Sequence, residues 1–207
     1  MYELLNDILE CIEFVSRSVL SNLSEIVETW DQSSQMYAGI VEKINVAWRA
    51  PLDTELLEEF PDIRNKVAKK LEWLGNDQLS ILRLLIERMF KINECLKIKL
   101  DRINNKLEKI SFEEHKELKH SVREHVIWIE DCWTYLHCLY MQLDFTMMSL
   151  IVLDEESATN LVKAIQQDEK DRSTIQKSQT YMQSCLSLIK FISNKTKVKQ
   201  LCVLKAL

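Results

Sequence analysis

Glycine and proline are the scarcest residues in this chain, and their scarcity limits the folds open to it. The 207 residues include 2 Gly and 2 Pro, whereas average usage would give about 14 and about 10. Hairpins, sheet connections and nucleotide-binding loops need such residues at positions of fixed backbone geometry, while long helices need few. Because 46% of the residues are hydrophobic, the chain can also bury a core. The composition therefore predicts an all-α fold.

Apolar residues recur at three- and four-residue steps through the first 48 positions. They are Leu4, Ile8, Cys11, Val15, Val19, Leu23, Ile26, Trp30, Tyr37, Val41, Ile44 and Trp48. This is the spacing of one helix face, with a skip near Ser33 and a point at Gly39 where the helix can bend. An unbroken helix of this length would measure about 70 Å. We therefore predict an elongated helical bundle with long, coiled-coil-like helices.

The remaining apolar stripes predict five more helices within a single domain, residues 1–207. They cover, in order, about 61–74, 77–109, 112–152, 155–168 and 174–193. Their ends are marked by Pro61 at a first helical position, a stop at Gly75, a capping box beginning at Ser111 and a cap at Asp154. Polar connectors are predicted at 49–61 and 168–174, and a basic tail at 190–207.

Charge is distributed unevenly along the chain. Residues 1–62 carry 13 acidic and 3 basic side chains (net −10), residues 63–109 carry 6 acidic and 12 basic ones (net +6), and residues 190–207 carry five lysines and no acid. We interpret this pattern as acidic and basic helices packed side by side. The alternative is a basic surface for an acidic partner such as RNA. Because the net charge is −5 and no aromatic RNA motif accompanies the lysines, we expect no direct nucleic-acid binding.

No catalytic, cofactor or metal motif can be recognised. With two glycines, the chain contains neither G-x-x-x-x-G-K nor G-x-G-x-x-G. His115, His120 and His125 are five residues apart, or about 140° on a helix, so they cannot share one face. The only E-x-x-H, ending at His120, is half of a di-iron site. We predict that the protein is not an enzyme and has no catalytic residues, no cofactor and no metal.

The cysteines and the termini indicate a reducing compartment. The six cysteines (Cys11, Cys95, Cys132, Cys138, Cys185 and Cys202) form no C-x-x-C pair and lie in helical patterns, mostly beside apolar residues. This is typical of buried, reduced thiols. No signal peptide or lipidation motif is readable at either end. We therefore expect a protein of the cytoplasm and nucleus.

Residues 136–153 form the most apolar run of the chain. Their length approaches that of a membrane-spanning helix, but Asp144 lies at the middle. A carboxylate there would cost about 2.5–3.5 kcal/mol on insertion. We therefore predict a fully buried core helix and no membrane partner.

Four aromatic residues lie close together just before and within that run. Trp128 and Tyr135 are seven residues apart and share one side of a helix, and Trp133 and Tyr140 share another. Both sides cannot easily face one core. Either one pair is an exposed anchor for a protein partner, or the helix lies in the centre of the bundle, and the sequence leaves both open.

Several motifs together resemble the AIRIM family, whose members are small helical ribosome-maturation factors and adaptors of a tandem AAA+ ATPase. The resemblance is carried by Trp30, by Phe60-Pro61-Asp62 with a basic helix after it, and by Trp128-x-x-Asp131 with Tyr140 downstream, over about residues 5–165. Two features depart from the family: residues 132–143 contain no Lys or Arg where the family has a basic stretch, and nothing beyond about residue 170 matches.

The resemblance implies a non-catalytic adaptor that links a AAA+ ATPase complex to precursors of the large ribosomal subunit and to chromatin clients. The residues expected to make protein contacts are Trp30, Phe60, Pro61, Asp62, Trp128, Asp131, Trp133 and Tyr140. Two alternatives stay open. One is a coiled-coil structural subunit of a cytoskeletal or kinetochore-type assembly. The other is a helical enzyme with a site that the sequence does not reveal.

Overall fold

Helices account for every regular element in the described part of the chain. The computed structural model describes residues 2–50, 62–109 and 116–165, together with Lys177 and Thr180. The elements are α1 (Tyr2–Phe14), a π-helical turn (Val15–Val19), α2 (Leu20–Arg49), α3 (Ile63–Leu107), α4 (Lys116–Met148) and α5 (Glu155–Lys163). The predicted all-α helical bundle is confirmed. The predicted features at 51–61, Ser111, 168–174 and 190–207 lie outside the described residues, and so does most of the predicted helix 174–193.

The apolar stripe of the first 48 residues is the core face of α1 and α2. Every position predicted for it is buried except Trp48, which lies one residue before the end of α2 and is exposed. At the predicted skip, Ser33 and Ser34 are both buried, and the Ser34 hydroxyl donates to the carbonyl of Asp31 at 3.1 Å. Helix α2 continues through Gly39 to Arg49.

A π-helical turn joins α1 to α2 and keeps this stripe on one side. The N–H of Leu20 donates to the carbonyl of Val15, five residues earlier. In an unbroken α-helix, Leu23 would be rotated about 120° from Cys11. A π turn has about 4.4 residues per turn and reduces that rotation to about 30°. Val15 and Val19 therefore stay buried, although each apolar residue from Cys11 to Leu23 lies four residues after the one before it.

Helix α3 is one continuous helix, so the predicted stop at Gly75 is wrong. The helix runs from Ile63 to Leu107, and no glycine in the described residues has a positive φ. The predicted core positions Ile63, Val67 and Leu74 are exposed. In an unbroken helix the core face is set by the buried Leu79 and Leu82. The positions seven and fourteen residues before Leu82 lie on the same face, and they are the small buried residues Gly75 and Ala68.

Gly75 allows close packing and is not a helix cap. A Cβ atom at this position would lie 3.5 Å from the ring of Tyr37 and 3.6 Å from Ile40, both on α2. A larger side chain would meet that ring directly. An interior glycine costs about 1 kcal/mol of helix propensity relative to alanine, an amount that tertiary packing readily overrides.

Contacts divide the chain into two compact units. The described residues of unit 1 are 2–23, 92–109 and 116–137 with Lys177 and Thr180, and those of unit 2 are 24–50, 62–91 and 138–165. The core of unit 1 consists of Leu4, Ile8, Cys11, Ile12, Val15, Val19, Leu23, Leu96, Leu100, Ile103, Val122, Val126, Ile129, Cys132 and Leu136. The prediction of one domain over residues 1–207 stays a prediction.

Ion pairs join the acidic first helices to the basic α3, as the charge distribution predicts. In unit 1, the buried carboxylate of Asp7 accepts Arg102 at 2.7 Å and Lys106 at 2.6 Å, while Lys99 pairs with Glu10. The hydrogen bond and charge of Lys99 lower the pKa of Glu10. The side-by-side packing of acidic and basic helices is therefore confirmed for these residues.

Unit 2 has the same pairing and a second core. Arg88 forms a two-pronged ion pair with Glu25, at 2.7 and 2.8 Å, and this contact lowers the pKa of Glu25. The core consists of Ile26, Trp30, Tyr37, Ile40, Val41, Ile44, Ala68, Leu79, Leu82, Leu85, Met89, Leu139, Leu143, Ala158, Leu161, Ala164 and Ile165. Short helix α5 thus contributes to the core of unit 2.

Candidate protein-interaction surface

The last three turns of α4 carry apolar residues on two opposite sides. Leu136, Leu139 and Leu143 point into the bundle and are buried. At 100° per residue, Met141 and Phe145 lie about 180° from them and are exposed. The predicted fully buried helix over 136–153 is therefore wrong, because only one of its two apolar sides faces a core.

Exposed apolar residues occur on this side of α4 and also in the loop that follows it. We call Met141, Phe145, Met148, Ile151 and Val152 the α4 stripe. Phe145 is 71% exposed, Met148 78% and Ile151 66%. Scattered exposed apolar residues are ordinary on a protein surface, but a contiguous row of large ones marks an interaction site.

The loop that carries Ile151 and Val152 is held in a fixed shape. Leu153 has φ 64°, the one positive φ among the described non-glycine residues, and this is a strained conformation for a bulky side chain. Its N–H donates to the hydroxyl of Tyr37 at 3.0 Å, and Tyr37 itself is buried. Such strain persists only where the surroundings enforce it, and it is common at functional sites.

The start of α5 anchors the other end of this loop. Asp154 is the N-cap: its carboxylate accepts the N–H of Ser157 at 2.8 Å, as the sequence predicts for this residue. The N–H of Ile151 donates to the Ser157 hydroxyl at 3.2 Å, and the N–H of Asp154 donates to the carbonyl of Ile151 at 3.2 Å. The loop therefore presents its two apolar side chains without needing to order on binding.

Aromatic rings border the buried side of α4. In unit 2, Phe90 of α3 packs against Tyr140 with ring centroids 5.7 Å apart. In unit 1, Trp133 stacks on His137 at 5.1 Å, and its buried indole N–H has no acceptor among the described residues. All four predicted aromatic residues, Trp128, Trp133, Tyr135 and Tyr140, are half-buried. The rings are thus neither fully exposed nor fully buried, and their role as anchors for a partner stays a prediction.

Trp30, by contrast, belongs to the core. Its side chain is fully buried, and its indole N–H donates to the carbonyl of Leu161 in α5 at 3.0 Å. This bond joins two elements separated by 131 residues of sequence. In this fold Trp30 holds α5 against α2 and presents no surface to a partner.

The other predicted contact residues are divided between surface and undescribed chain. Asp62 precedes α3 and is exposed, and Asp131 is exposed on α4. Phe60 and Pro61 lie outside the described residues. Of the predicted contact residues, Trp30 is therefore in a core, whereas Asp62 and Asp131 lie on the surface.

A second exposed patch lies at the start of α3. Lys66, Lys69 and Lys70 are exposed there, and the ammonium group of Lys70 lies 4.3 Å from the ring centre of Trp73, which is also exposed. On α2, the ring of Trp48 lies under the guanidinium of Arg64 at 5.9 Å. Cation–π contacts of this kind are common between exposed side chains, and they account for the two exposed tryptophans of unit 2.

Among the described residues, no group of three or more His, Cys, Asp or Glu side chains could hold a metal ion. Burial raises the pKa of the Cys11 thiol to about 12, so its thiolate is scarce. Cys132 is buried too, whereas Cys95 and Cys138 are exposed, contrary to the prediction of buried thiols. Within the described ranges, no helix is long and apolar enough to cross a membrane.

No protein-family model matches the sequence, and neither a curated protein nor a solved structure matches it. The geometry of the α4 stripe is therefore the main basis for a functional proposal.

Proposed function

We propose that this protein is a non-catalytic adaptor that binds other proteins through the α4 stripe, and that it links a AAA+ ATPase complex to ribosome precursors. The single observation that carries the first half is the row of five exposed apolar side chains on α4 and its following loop. Contact of the apolar side chains of Phe145 and Met148 with water is unfavourable, so this row is best explained by a partner that covers it.

The second half of the proposal rests on the resemblance to the AIRIM family. The order of Trp30, Phe60-Pro61-Asp62 and Trp128-x-x-Asp131 indicates an adaptor for large-subunit maturation, with chromatin clients as a further role. Such a protein would work in the cytoplasm and nucleus and would contain no active site of its own. The absence of a basic stretch after Trp128 favours protein contacts over RNA contacts in that region.

The test is affinity purification of the tagged full chain followed by mass spectrometry. We expect a AAA+ ATPase and large-subunit precursors to be recovered, and we expect the purified protein alone not to hydrolyse ATP. Phe145→Ala should reduce recovery of the partner, since the change removes an exposed ring and leaves a good helix former. Ile98→Ala is the matched control, because Ile98 is 66% exposed but lies outside the stripe.

The same experiment addresses the alternative of a coiled-coil structural subunit. Stoichiometric recovery of a long coiled-coil protein, with no ATPase and no ribosome precursor, would support a cytoskeletal or kinetochore-type assembly. If a well-folded tagged protein recovers none of these partners, the adaptor proposal is wrong.

A further inference from the structure

We infer that the occupant of the α4 stripe is an amphipathic helix of a partner protein, with its apolar face bordered by Lys and Arg. The inference rests on the proposed function in taking the stripe as a partner-binding surface. It adds the shape and the charge of what binds there.

The shape of the stripe fits a helix. Met141, Phe145 and Met148 are at positions i, i+4 and i+7 and so form a straight row of about 10 Å along α4. Ile151 and Val152, in the loop that follows the helix, are exposed as well. A partner helix with apolar residues at the same spacing can lie along such a row. Phe145 would be the central anchor, and the flexible methionines on either side would adapt to the facing side chains.

The charge around the stripe fits a basic partner. From Cys132 to Val162 the sequence contains no Lys or Arg, but it contains four acids: Asp144, Asp154, Glu155 and Glu156. Asp144 lies three residues after Met141 and four before Met148, and therefore beside the stripe. The last carbonyls of α4 add partial negative charge near Met148.

The neighbouring face of α3 does not reverse this charge. Glu87 and Arg83 lie one and two turns before Phe90, are exposed and carry opposite charges. The negative charge of Asp144 beside the stripe is therefore not offset by these two α3 residues, and a partner with Lys or Arg beside its apolar face would be drawn to it.

The same acids disfavour two other occupants. A second copy of this chain, packed stripe to stripe, would bring a second Asp144 and no Lys or Arg from α4 to the contact, and like charges facing one another weaken association. An anionic lipid surface binds amphipathic helices whose polar face is rich in Lys and Arg. The polar positions of α4 beside the stripe contain none.

The first test uses two labelled helical peptides of about 18 residues, or five turns. Both have leucines at i, i+3, i+4 and i+7 spacing, one with lysines beside the leucines and the other with glutamates there. Binding to the full-length protein is measured by fluorescence anisotropy at low and high salt. We expect the lysine peptide to bind about tenfold more tightly at low salt, and the difference to shrink as salt screens the charges. Equal binding of both peptides would overturn the charge inference.

Three variants locate the site. Phe145→Ala should weaken binding of the lysine peptide about tenfold or more, and Ile98→Ala should leave it unchanged. Asp144→Lys should reduce the preference for the lysine peptide and improve binding of the glutamate peptide. All three positions are on helix surfaces, and circular dichroism confirms that each variant folds. Binding that is unaffected by Phe145→Ala would overturn the assignment to the stripe.

Two further measurements identify the excluded occupants. If sedimentation shows a dimer that Phe145→Ala abolishes, the occupant of the stripe is a second copy of the chain and the inference is wrong. If the protein floats with vesicles of anionic phospholipid and Phe145→Ala abolishes this binding, the occupant is a membrane surface and the inference is likewise wrong. The peptide preference is independent of which protein is recovered from cells. If the preference holds and no ATPase or ribosome precursor is recovered, the stripe is correctly described and the proposed function is wrong.

Discussion

Replacing Gly75 with alanine tests whether α3 is continuous, because the two possible conformations predict effects of opposite sign. In the structure Gly75 is an interior helical residue, and the added Cβ would lie 3.5–3.6 Å from Tyr37 and Ile40, which is ordinary van der Waals distance. Alanine gains about 1 kcal/mol of helix propensity over glycine. Three new contacts add about 0.1–0.2 kcal/mol each. We therefore expect Gly75→Ala to raise the free energy of unfolding by about 1 kcal/mol.

The opposite result follows if the helix stops at Gly75. A glycine that ends a helix in the left-handed conformation loses about 1–2 kcal/mol when a Cβ is added. Urea unfolding followed by far-ultraviolet circular dichroism separates the cases, and the expected stabilisation corresponds to a rise in Tm of about 2–4 °C for a chain of this size. Gly39→Ala is the matched control: a Cβ there would meet nothing within 4 Å, so it should also stabilise by about 1 kcal/mol. Stabilisation at Gly39 with destabilisation at Gly75 would refute the continuous helix.

The remaining predictions concern three side chains. Trp30→Phe removes the donor to the buried carbonyl of Leu161, so we expect the free energy of unfolding in urea to fall by about 1–3 kcal/mol and hydrogen exchange in α5 to become faster. Unchanged exchange would contradict the role of this bond. Tyr37→Phe removes the hydroxyl that accepts the N–H of Leu153, so we expect the free energy of unfolding to fall by about 1 kcal/mol and hydrogen exchange of the Leu153 amide to become faster. If that exchange stays slow in the variant, the loop is held by other contacts. In the folded protein the pKa of Glu10 lies below its ordinary value of 4.5. Its ion pair therefore stabilises the folded state at pH values above 4.5, and this contribution is lost as the pH falls through the folded pKa. Glu10→Gln should therefore lower stability at pH 7 by no more than about 1 kcal/mol, with the difference disappearing in strong acid; a difference that persists there would show that the effect is not electrostatic.

The parts of the fold that were predicted correctly are those set by local periodicity and by charge. The apolar spacing from Leu4 to Ile44 identifies buried positions because core-facing side chains of a helix recur every three or four residues, and the π-helical turn keeps the four-residue steps on one side. The opposite charges of the first helices and α3 identify neighbours because burying Asp7 requires cations such as Arg102. Gly75 was misjudged because a glycine that ends a helix and a glycine that admits a neighbouring ring look the same in one sequence. Only the position of Tyr37 distinguishes them.

The candidate surface was mostly missed, although a signal for it exists. Residues 136–153 were predicted to be buried because they are apolar on average, and an average does not resolve direction. Projected at 100° per residue, Leu136 and Phe145 fall on opposite sides, with Asp144 and Gln142 on the two sides between them. Two apolar sides separated by two polar ones indicate a helix with a core on one side and a partner on the other. The strained Leu153 leaves no such signal, because a leucine at positive φ is set by tertiary contacts alone.

The π-helical turn has a consequence for chain length. Removing one residue from Val15–Val19 would allow the segment to close as ordinary α-helix, and Cys11 and Leu23 would then be eleven steps apart. Eleven steps of about 100° end within about 20° of three full turns, so the side chains on both sides would still face the core. A deletion within α1 or α2 would rotate the side chains on one side of it by about 100° relative to those on the other and expose part of the core face. The π-helical turn is thus a place where the length of the segment Tyr2–Arg49 can change by one residue, and descendants of a common ancestor could differ there without losing the fold.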